Sequence, residues 1–269
     1  MPVAVAQFLQ HLESVAPLEL AESWDNVGLL VEPFRRTGEG ARHELHRVLL
    51  TIDLTQPVLE EAVAWRADWV VAYHPPIFAG LKRLVAAAPG DRLLIEAIRA
   101  GIAVYSPHTA LDAAPGGVND WLLEAVGPGR PLASPDGTAR LGRTLELQEP
   151  ALLPEMVHRI KAHLGLRQLR VAASARHAGG EPVSRVAVCA GSGGAVFAEL
   201  PGFDLYVTGE MRHHDVLARV AAGASVVLCE HTNSERGYLP RLQARLLNLA
   251  GGELEVRISA CDRDPLAVS

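Results

Sequence analysis

The chain has 269 residues, of which 49% are hydrophobic and 21% are charged, and this composition excludes a disordered chain and fits a globular one. Its formal net charge of -6, with no basic patch, argues against a general binder of nucleic acids. No apolar run reaches the about 18 residues that span a bilayer, and the 3 cysteines are too few for a disulfide framework. We therefore expect a cytoplasmic protein with no membrane partner.

The first predicted element is an amphipathic helix close to the start of the chain. Apolar side chains recur there at helical spacing, at Val5, Phe8, Leu9, Leu12 and Val15. This pattern predicts a helix that packs on the body of the protein.

From Arg47 onward, apolar runs alternate with helical patterns. The predicted strands are 48–52, 69–73 and 102–105, and the predicted helices are 57–66, 91–100 and 118–126. Strands separated by helices of this length pair in parallel, with the helices on the faces of the sheet.

Residues 127–137 are rich in Gly, Pro, Ser and Asp, which is typical of a linker. We expect one lobe over 1–127 and a second over 138–269, against which the N-terminal helix can also pack. The second lobe has predicted strands at 143–147, 168–172, 185–189, 205–208, 225–229 and 254–258, and predicted helices at 152–164, 195–200, 214–222 and 234–249. The predicted fold class is α/β, with two lobes and mostly parallel sheets.

Polar residues follow several of these strands, at the edge where open α/β sheets bind ligands. His74 ends the strand at 69–73, and two prolines after it fix the exit of the chain. His108 and Asp112 follow the next strand in a loop bounded by proline, and they offer nitrogen and oxygen donors for a metal. Alternatively, His74 only hydrogen-bonds across the strand ends, and Asp112 caps the helix that starts near Gly116 or Gly117.

His231 and Glu235 follow the strand at 225–229 and lie four residues apart, so a helical turn places them on one side. Thr232 with Glu235 also matches a capping box, which would occupy the glutamate. Three strand ends each supply His, Asp or Glu at the same edge of a sheet. Taken together, they favour a divalent metal site over these local alternatives.

Two further motifs are weaker. His213 and His214 lie at the start of the helix predicted at 214–222, with Asp215 in its first turn, which is ordinary helix-dipole chemistry. We favour instead a role in which they support the metal ligands or contact the substrate. The glycine-rich run at 190–194 can present backbone N–H groups to an anion, but it lacks the lysine of a phosphate-binding loop.

Together these motifs resemble those of the NIF-three-like family of dinuclear-metal proteins, often described as GTP cyclohydrolase I type 2 homologues. The resemblance extends over nearly the whole chain. It rests on five motifs in order: Ser23–Gly28, Tyr73–Phe78, His108–Asp112, Thr208–Asp215 and Glu230–Gly237.

The resemblance implies a two-lobed α/β subunit, a pair of metal ions in a cleft between the lobes, and a toroidal homohexamer. By matching motifs, the metal ligands are His74, Asp112, His231 and Glu235, with Glu235 bridging the ions. Many members have two adjacent histidines where this chain has Tyr73–His74, so one nitrogen ligand is missing. The chain is also too short between its halves to hold the inserted domain of longer members.

We expect a metal-dependent hydrolase that acts on GTP or on another nucleotide or phosphoester. Zn, Mn, Fe and Co all suit two histidines with two carboxylates, so the sequence leaves the metal open. The expected catalytic residues are Glu235, together with His108 or His213 as the group that moves protons. The competing hypothesis is a non-catalytic ring that binds metal or a partner protein.

Overall fold

The computed structural model of the protein describes residues 3–33, 44–132, 141–252 and 254–266. The chain folds into two compact units. Unit 1 combines Met1–Ala114 with Leu239–Ser269, and unit 2 is Pro115–Tyr238.

These units differ from the predicted lobes of 1–127 and 138–269. The last strand, Glu255–Ile258, pairs in parallel with Arg47–Thr51 and thereby returns the C-terminal segment to unit 1. Part of the predicted linker is itself a strand, Gly129–Pro131, which pairs with the strand after it. Residues 133–137 of that linker lie outside the described residues.

The elements are numbered in chain order. The strands are β1 (Val3–Ala4), β2 (Gly28–Val31), β3 (Glu44–Leu45), β4 (Arg47–Thr51), β5 (Trp69–Ala72), β6 (Ala103–Ser106), β7 (Gly129–Pro131), β8 (Arg143–Ala151), β9 (Arg170–Ala172), β10 (Val183–Ser192), β11 (Leu205–Glu210), β12 (Ser225–Leu228) and β13 (Glu255–Ile258). The α-helices are α1 (Val5–Val15), α2 (Gln56–Trp65), α3 (Pro89–Ala100), α4 (His108–Ala113), α5 (Val118–Glu124), α6 (Leu153–Leu164), α7 (Ala175–Ala178), α8 (Gly194–Ala198), α9 (His213–Ala221) and α10 (Leu239–Leu249). Short 3-10 turns cover Leu18–Leu20, Thr232–Ser234 and Arg236–Tyr238.

Unit 1 is built on a five-stranded sheet in the order β13-β4-β5-β6-β2. The first four strands run parallel, and β2 joins the edge antiparallel to β6. β5 is buried along its whole length, as expected for a parallel strand with helices on both faces. Because successive side chains point to opposite faces, Trp69 packs edge-on against Phe8 of α1 while Val70 joins the core beneath α2 and α3.

Unit 2 is built on a six-stranded sheet in the order β7-β8-β10-β11-β12-β9. Its central strands β10, β11 and β12 are parallel, and its outer pairings are antiparallel. Phe197 of α8 packs 5.0 Å from the ring of Tyr206, which lies in β11, and both side chains are fully buried.

The α/β class, the two sheets and the parallel central strands were all predicted correctly. The predicted helix at 234–249 begins only at Leu239, and the predicted loop at 108–112 is the short helix α4. The sequence did not predict β2 or β7. Within the described ranges, no helix is both long and apolar enough to cross a membrane.

Candidate metal-binding residues

The polar residues of unit 1 lie beyond the carboxyl ends of three parallel strands. Asp53 follows β4, Tyr73 and His74 follow β5, and His108 follows β6. The chain beyond β5 keeps to the sheet edge, because the backbone N–H of His74 donates to the carbonyl of Ile52 at 3.0 Å. The fold therefore presents these side chains at one edge of the sheet, where open α/β sheets bind ligands.

His74 is oriented by a carboxylate. Its Nδ1 lies 2.9 Å from Oδ1 of Asp53. An ionised carboxylate only accepts hydrogen bonds, so Nδ1 donates and the lone pair of the neutral ring is on Nε2. Ligating histidines in metal sites are usually held in this way.

Tyr73 and Asp112 form a buried pair beside His74. The phenol of Tyr73 donates to Oδ1 of Asp112 at 2.6 Å, and the rings of Tyr73 and His74 are 5.0 Å apart. β5 ends at Ala72, so the alternation of a strand no longer separates the two side chains. Asp112 lies inside α4 rather than at the cap of α5, whose N-terminal cap is Gly117.

His108 is held by a second carboxylate. Its Nδ1 lies 2.8 Å from Oδ1 of Asp25, and Oδ2 of Asp25 accepts from the backbone N–H and the hydroxyl of Thr109. Burial opposes ionisation of Asp25, but the hydrogen bonds from His108 and Thr109 outweigh it and lower the pKa of the carboxyl below its usual value. Asp25 therefore stays ionised and fixes the His108 ring.

In unit 2, the candidate residues follow β11 and β12. The Nδ1 of His231 lies 3.0 Å from Oε1 of Glu210, and its Nε2 lies 3.4 Å from Oε1 of Glu235. Glu235 is buried, with 2% of its side chain exposed. It ends the 3-10 turn Thr232–Ser234, four residues before α10 begins, so it does not occupy the third position of a long helix as a capping box requires.

Glycines make room for this pair. A Cβ on Gly191 would lie 2.7 Å from Oε1 of Glu235 and 3.1 Å from Nε2 of His231. A Cβ on Gly209 would lie 2.8 Å from the Cα of His231. The glycine-rich run at 190–194 thus allows the backbone to approach His231 and Glu235 closely.

Of the described residues other than glycine, three have a positive φ; Arg66 ends α2, and the other two lie beside the candidate residues. His108 has a φ of +25° and Glu230, next to His231, has a φ of +67°, in the region that side chains rarely adopt. Glu230 is held there by an ion pair with Arg170, 2.8 Å from nitrogen to oxygen. Strained residues of this kind cluster at functional sites.

The donors are nitrogen and oxygen rather than sulfur. Cys229 lies near His231 in the chain, but burial raises the pKa of its thiol to about 12, so the sulfur stays protonated at neutral pH. In unit 2, Nδ1 of His231 lies against the carboxylate of Glu210, which leaves Nε2 as an acceptor 3.4 Å from Oε1 of Glu235. Two acceptors 3.4 Å apart repel unless a cation or a proton lies between them. The donor set therefore fits a divalent metal ion.

His213 is the remaining residue predicted to be catalytic. It is exposed at the start of α9, and the ring contact described for it is with its neighbour His214, at 5.5 Å. Asp53 was not identified from the sequence, and Asp25 and Glu210 appeared only inside motifs. The signal for Asp53 was its place directly after a predicted strand, the same position that singled out His74.

A family model described as Duf34/NIF3 (NGG1p interacting factor 3) matches residues 3–265 of the chain. Among curated proteins, the NIF3 homolog of Schizosaccharomyces pombe is 43% identical, with 95% of this chain and 94% of that protein covered. NGG1-interacting factor 3 of Saccharomyces cerevisiae is 39% identical, with coverage of 92% and 91%. NIF3-like protein 1 of Homo sapiens is 33% identical, with coverage of 97% and 91%.

Solved structures show the same fold at low sequence identity. A Bacillus cereus protein related to NIF3 has a TM-score of 0.82 at 19% identity, and all of both chains is covered. Reduced HcgD from Methanocaldococcus jannaschii has a TM-score of 0.79 at 22% identity, with 96% of this chain and 98% of that chain covered.

Proposed function

Because the chain belongs to the Duf34/NIF3 family, we propose that it is a metal-dependent hydrolase with one or two divalent ions per subunit. The observation that carries this proposal is shared by both units: His74 and His231 each have Nδ1 within 3.0 Å of a carboxylate. Paired in this way, each imidazole is fixed in the tautomer that binds a metal through Nε2.

The ligands in this proposal are His74 and Asp112 from unit 1 and His231 and Glu235 from unit 2. Their imidazole and carboxylate groups are the donor types that divalent transition-metal ions bind. Asp112 and a bridging role for Glu235 follow from the family motif. When bound, the metal supplies Lewis acidity and lowers the pKa of a water molecule. Zn, Mn, Fe and Co all suit these donors.

His108 is the residue proposed to move a proton. Asp25 receives its Nδ1–H, so Nε2 accepts or returns a proton at the substrate, and the side chain of His108 is 16% exposed. His213 is exposed on α9, and we keep it as a second candidate that acts only if substrate reaches that helix.

The proposed substrate is GTP or another nucleotide or phosphoester, and the proposed assembly is a homohexamer in the cytoplasm. Cys189, Cys229 and Cys261 are free thiols, which suits a reducing compartment. The second candidate function is a non-catalytic ring that binds metal or a partner protein. It is favoured by the burial of Glu235, because a site closed by protein ligands is structural.

A turnover screen separates the two functions. Purified protein is stripped of metal, reloaded separately with Zn, Mn, Fe or Co, and incubated with GTP, other nucleotides and simple phosphoesters. If the chain is a hydrolase, we expect hydrolysis product with at least one of these metals and none with metal-free protein. It also expects His108→Gln to lower turnover while metal content stays near that of the wild type. Full metal occupancy without turnover of any substrate class would favour the non-catalytic ring.

A further inference from the structure

Two aromatic side chains of unit 1 are unusually exposed. Trp24 and Phe78 each have 56% of their surface exposed, whereas Trp69 and Trp121 have 2% and 6%. The rings of Trp24 and Phe78 are 5.9 Å apart and inclined at 48°. Exposed apolar side chains that lie together mark interaction sites, whereas single ones are ordinary on a protein surface.

The two rings are held in place by polar contacts between their loops. Asn26, two residues after Trp24, donates from Nδ2 to the carbonyl of Ile77 at 2.6 Å. Asp25 is tied to Thr109 and His108 through both carboxylate oxygens. The surface is therefore organised before any ligand arrives, which lowers the entropy cost of binding.

The rings also lead to the proposed metal ligands. His108 is edge-on to both Trp24 and Phe78, with centroid distances of 6.2 Å and 6.5 Å. The ring of His108 is in turn 5.4 Å from that of His74. A flat molecule stacked on Trp24 would thus lie beside His108, the residue proposed to move a proton. The ring of His108 in turn neighbours His74, a proposed metal ligand.

We propose that Trp24 and Phe78, which we name the aromatic rim, stack the planar heteroaromatic ring of a ligand. Exposed aromatic faces bind flat rings by offset stacking with little need for a specific hydrogen-bond pattern. The inference rests on the proposed function for the chemistry that follows binding. Ring binding itself needs neither a metal ion nor turnover, so the two ideas fail separately.

The test measures binding of guanosine, which has a planar ring and no phosphate, to metal-free protein by calorimetry. Ribose 5-phosphate, which has a phosphate and no ring, is the matched ligand. We expect guanosine to bind and ribose 5-phosphate not to bind. Trp24→Leu and Phe78→Leu should each weaken guanosine binding by about tenfold, since each removes one stacking face, whereas Trp24→Phe should retain most of it.

Leu84→Ser is the control, because Leu84 is 41% exposed in the segment that follows Phe78 and takes no part in the described ring contacts. Melting temperatures near the wild-type value establish that the variants fold. Failure of guanosine to bind, or equal binding by wild type, Trp24→Leu and Phe78→Leu, would overturn the proposal. So would a lower oligomeric state in both leucine variants with guanosine affinity unchanged, which would make the rim a contact between copies of the chain.

Discussion

Gly191→Ala is the substitution whose effect on the proposed metal ligands follows most directly from the structure. Gly191 has a φ of +62°, and a Cβ there would lie 2.7 Å from Oε1 of Glu235. Cβ contacts under 3.0 Å essentially never occur, so the carboxylate must move by at least 3.0 − 2.7 = 0.3 Å. Metal–ligand distances tolerate only about 0.2 Å. We expect metal affinity to fall about 10- to 100-fold, as when groups that orient ligands are altered.

Gly165→Ala is the matched control for backbone strain. Gly165 has a φ of +68°, and nothing lies within 4 Å of the position of its Cβ. A left-handed alanine costs roughly 1–2 kcal/mol at either position. That loss lowers the melting temperature by about 2–4 °C per kcal/mol in a chain of this size.

The assay is equilibrium dialysis of both variants and the wild type against Zn at graded chelator concentrations, with metal content measured by atomic emission. Scanning calorimetry of the metal-free proteins checks that the two variants are destabilised to a similar degree. If Gly191→Ala holds Zn as tightly as Gly165→Ala, then Glu235 and His231 are not the ligands and the reasoning fails.

Three further predictions concern other parts of the molecule. Calorimetric titration of metal-free protein with a divalent metal ion should show one tight and one weaker binding step, because the Tyr73 phenol donates to Asp112 and is a poor ligand near neutral pH. Tyr73→His should tighten only the weaker step. Two equally tight sites in the wild type would contradict this prediction. Burial lowers the pKa of His177 below its ordinary value of 6.5, so its contribution to stability is present above that pH and is lost as the pH falls. His177→Asn should therefore reduce the fall in melting temperature on the acid side of a plot against pH. An unchanged fall would show that His177 is not its cause. Light scattering at micromolar concentration should give a hexamer, and a monomer at all concentrations would exclude the ring.

Much of the fold could be predicted because buried parallel strands leave a strong sequence signal. The run at 69–73 is apolar at almost every position, as both faces of β5 are covered. The return of β13 to unit 1 could not be predicted, because a four-residue strand carries no information about its partner. Residues 129–131 of the predicted linker form the edge strand β7, which the sequence did not indicate because Gly and Pro mark both loops and short edge strands.

The candidate site was predictable as strand-end residues but not as pairs. His74 and His231 stand out as histidines after apolar runs. Their partners are 21 residues away in each case, with Asp53 just after β4 and Glu210 at the end of β11, so only the pairing of neighbouring strands brings them together. The contact of Gly191 with Glu235 likewise depends on tertiary structure, which is why the glycine run was interpreted as a weak anion site.

The metal content of two variants tests whether Glu235 is a ligand shared by the ions, as we propose. Glu235→Ala and His108→Ala are purified, loaded with Zn and freed of excess metal in parallel, and bound Zn per chain is measured. We expect Glu235→Ala to lose most of its metal and His108→Ala to keep nearly all of it, since a bridging carboxylate contacts both ions and His108 is held by Asp25 instead. Equal retention by the two variants would contradict it.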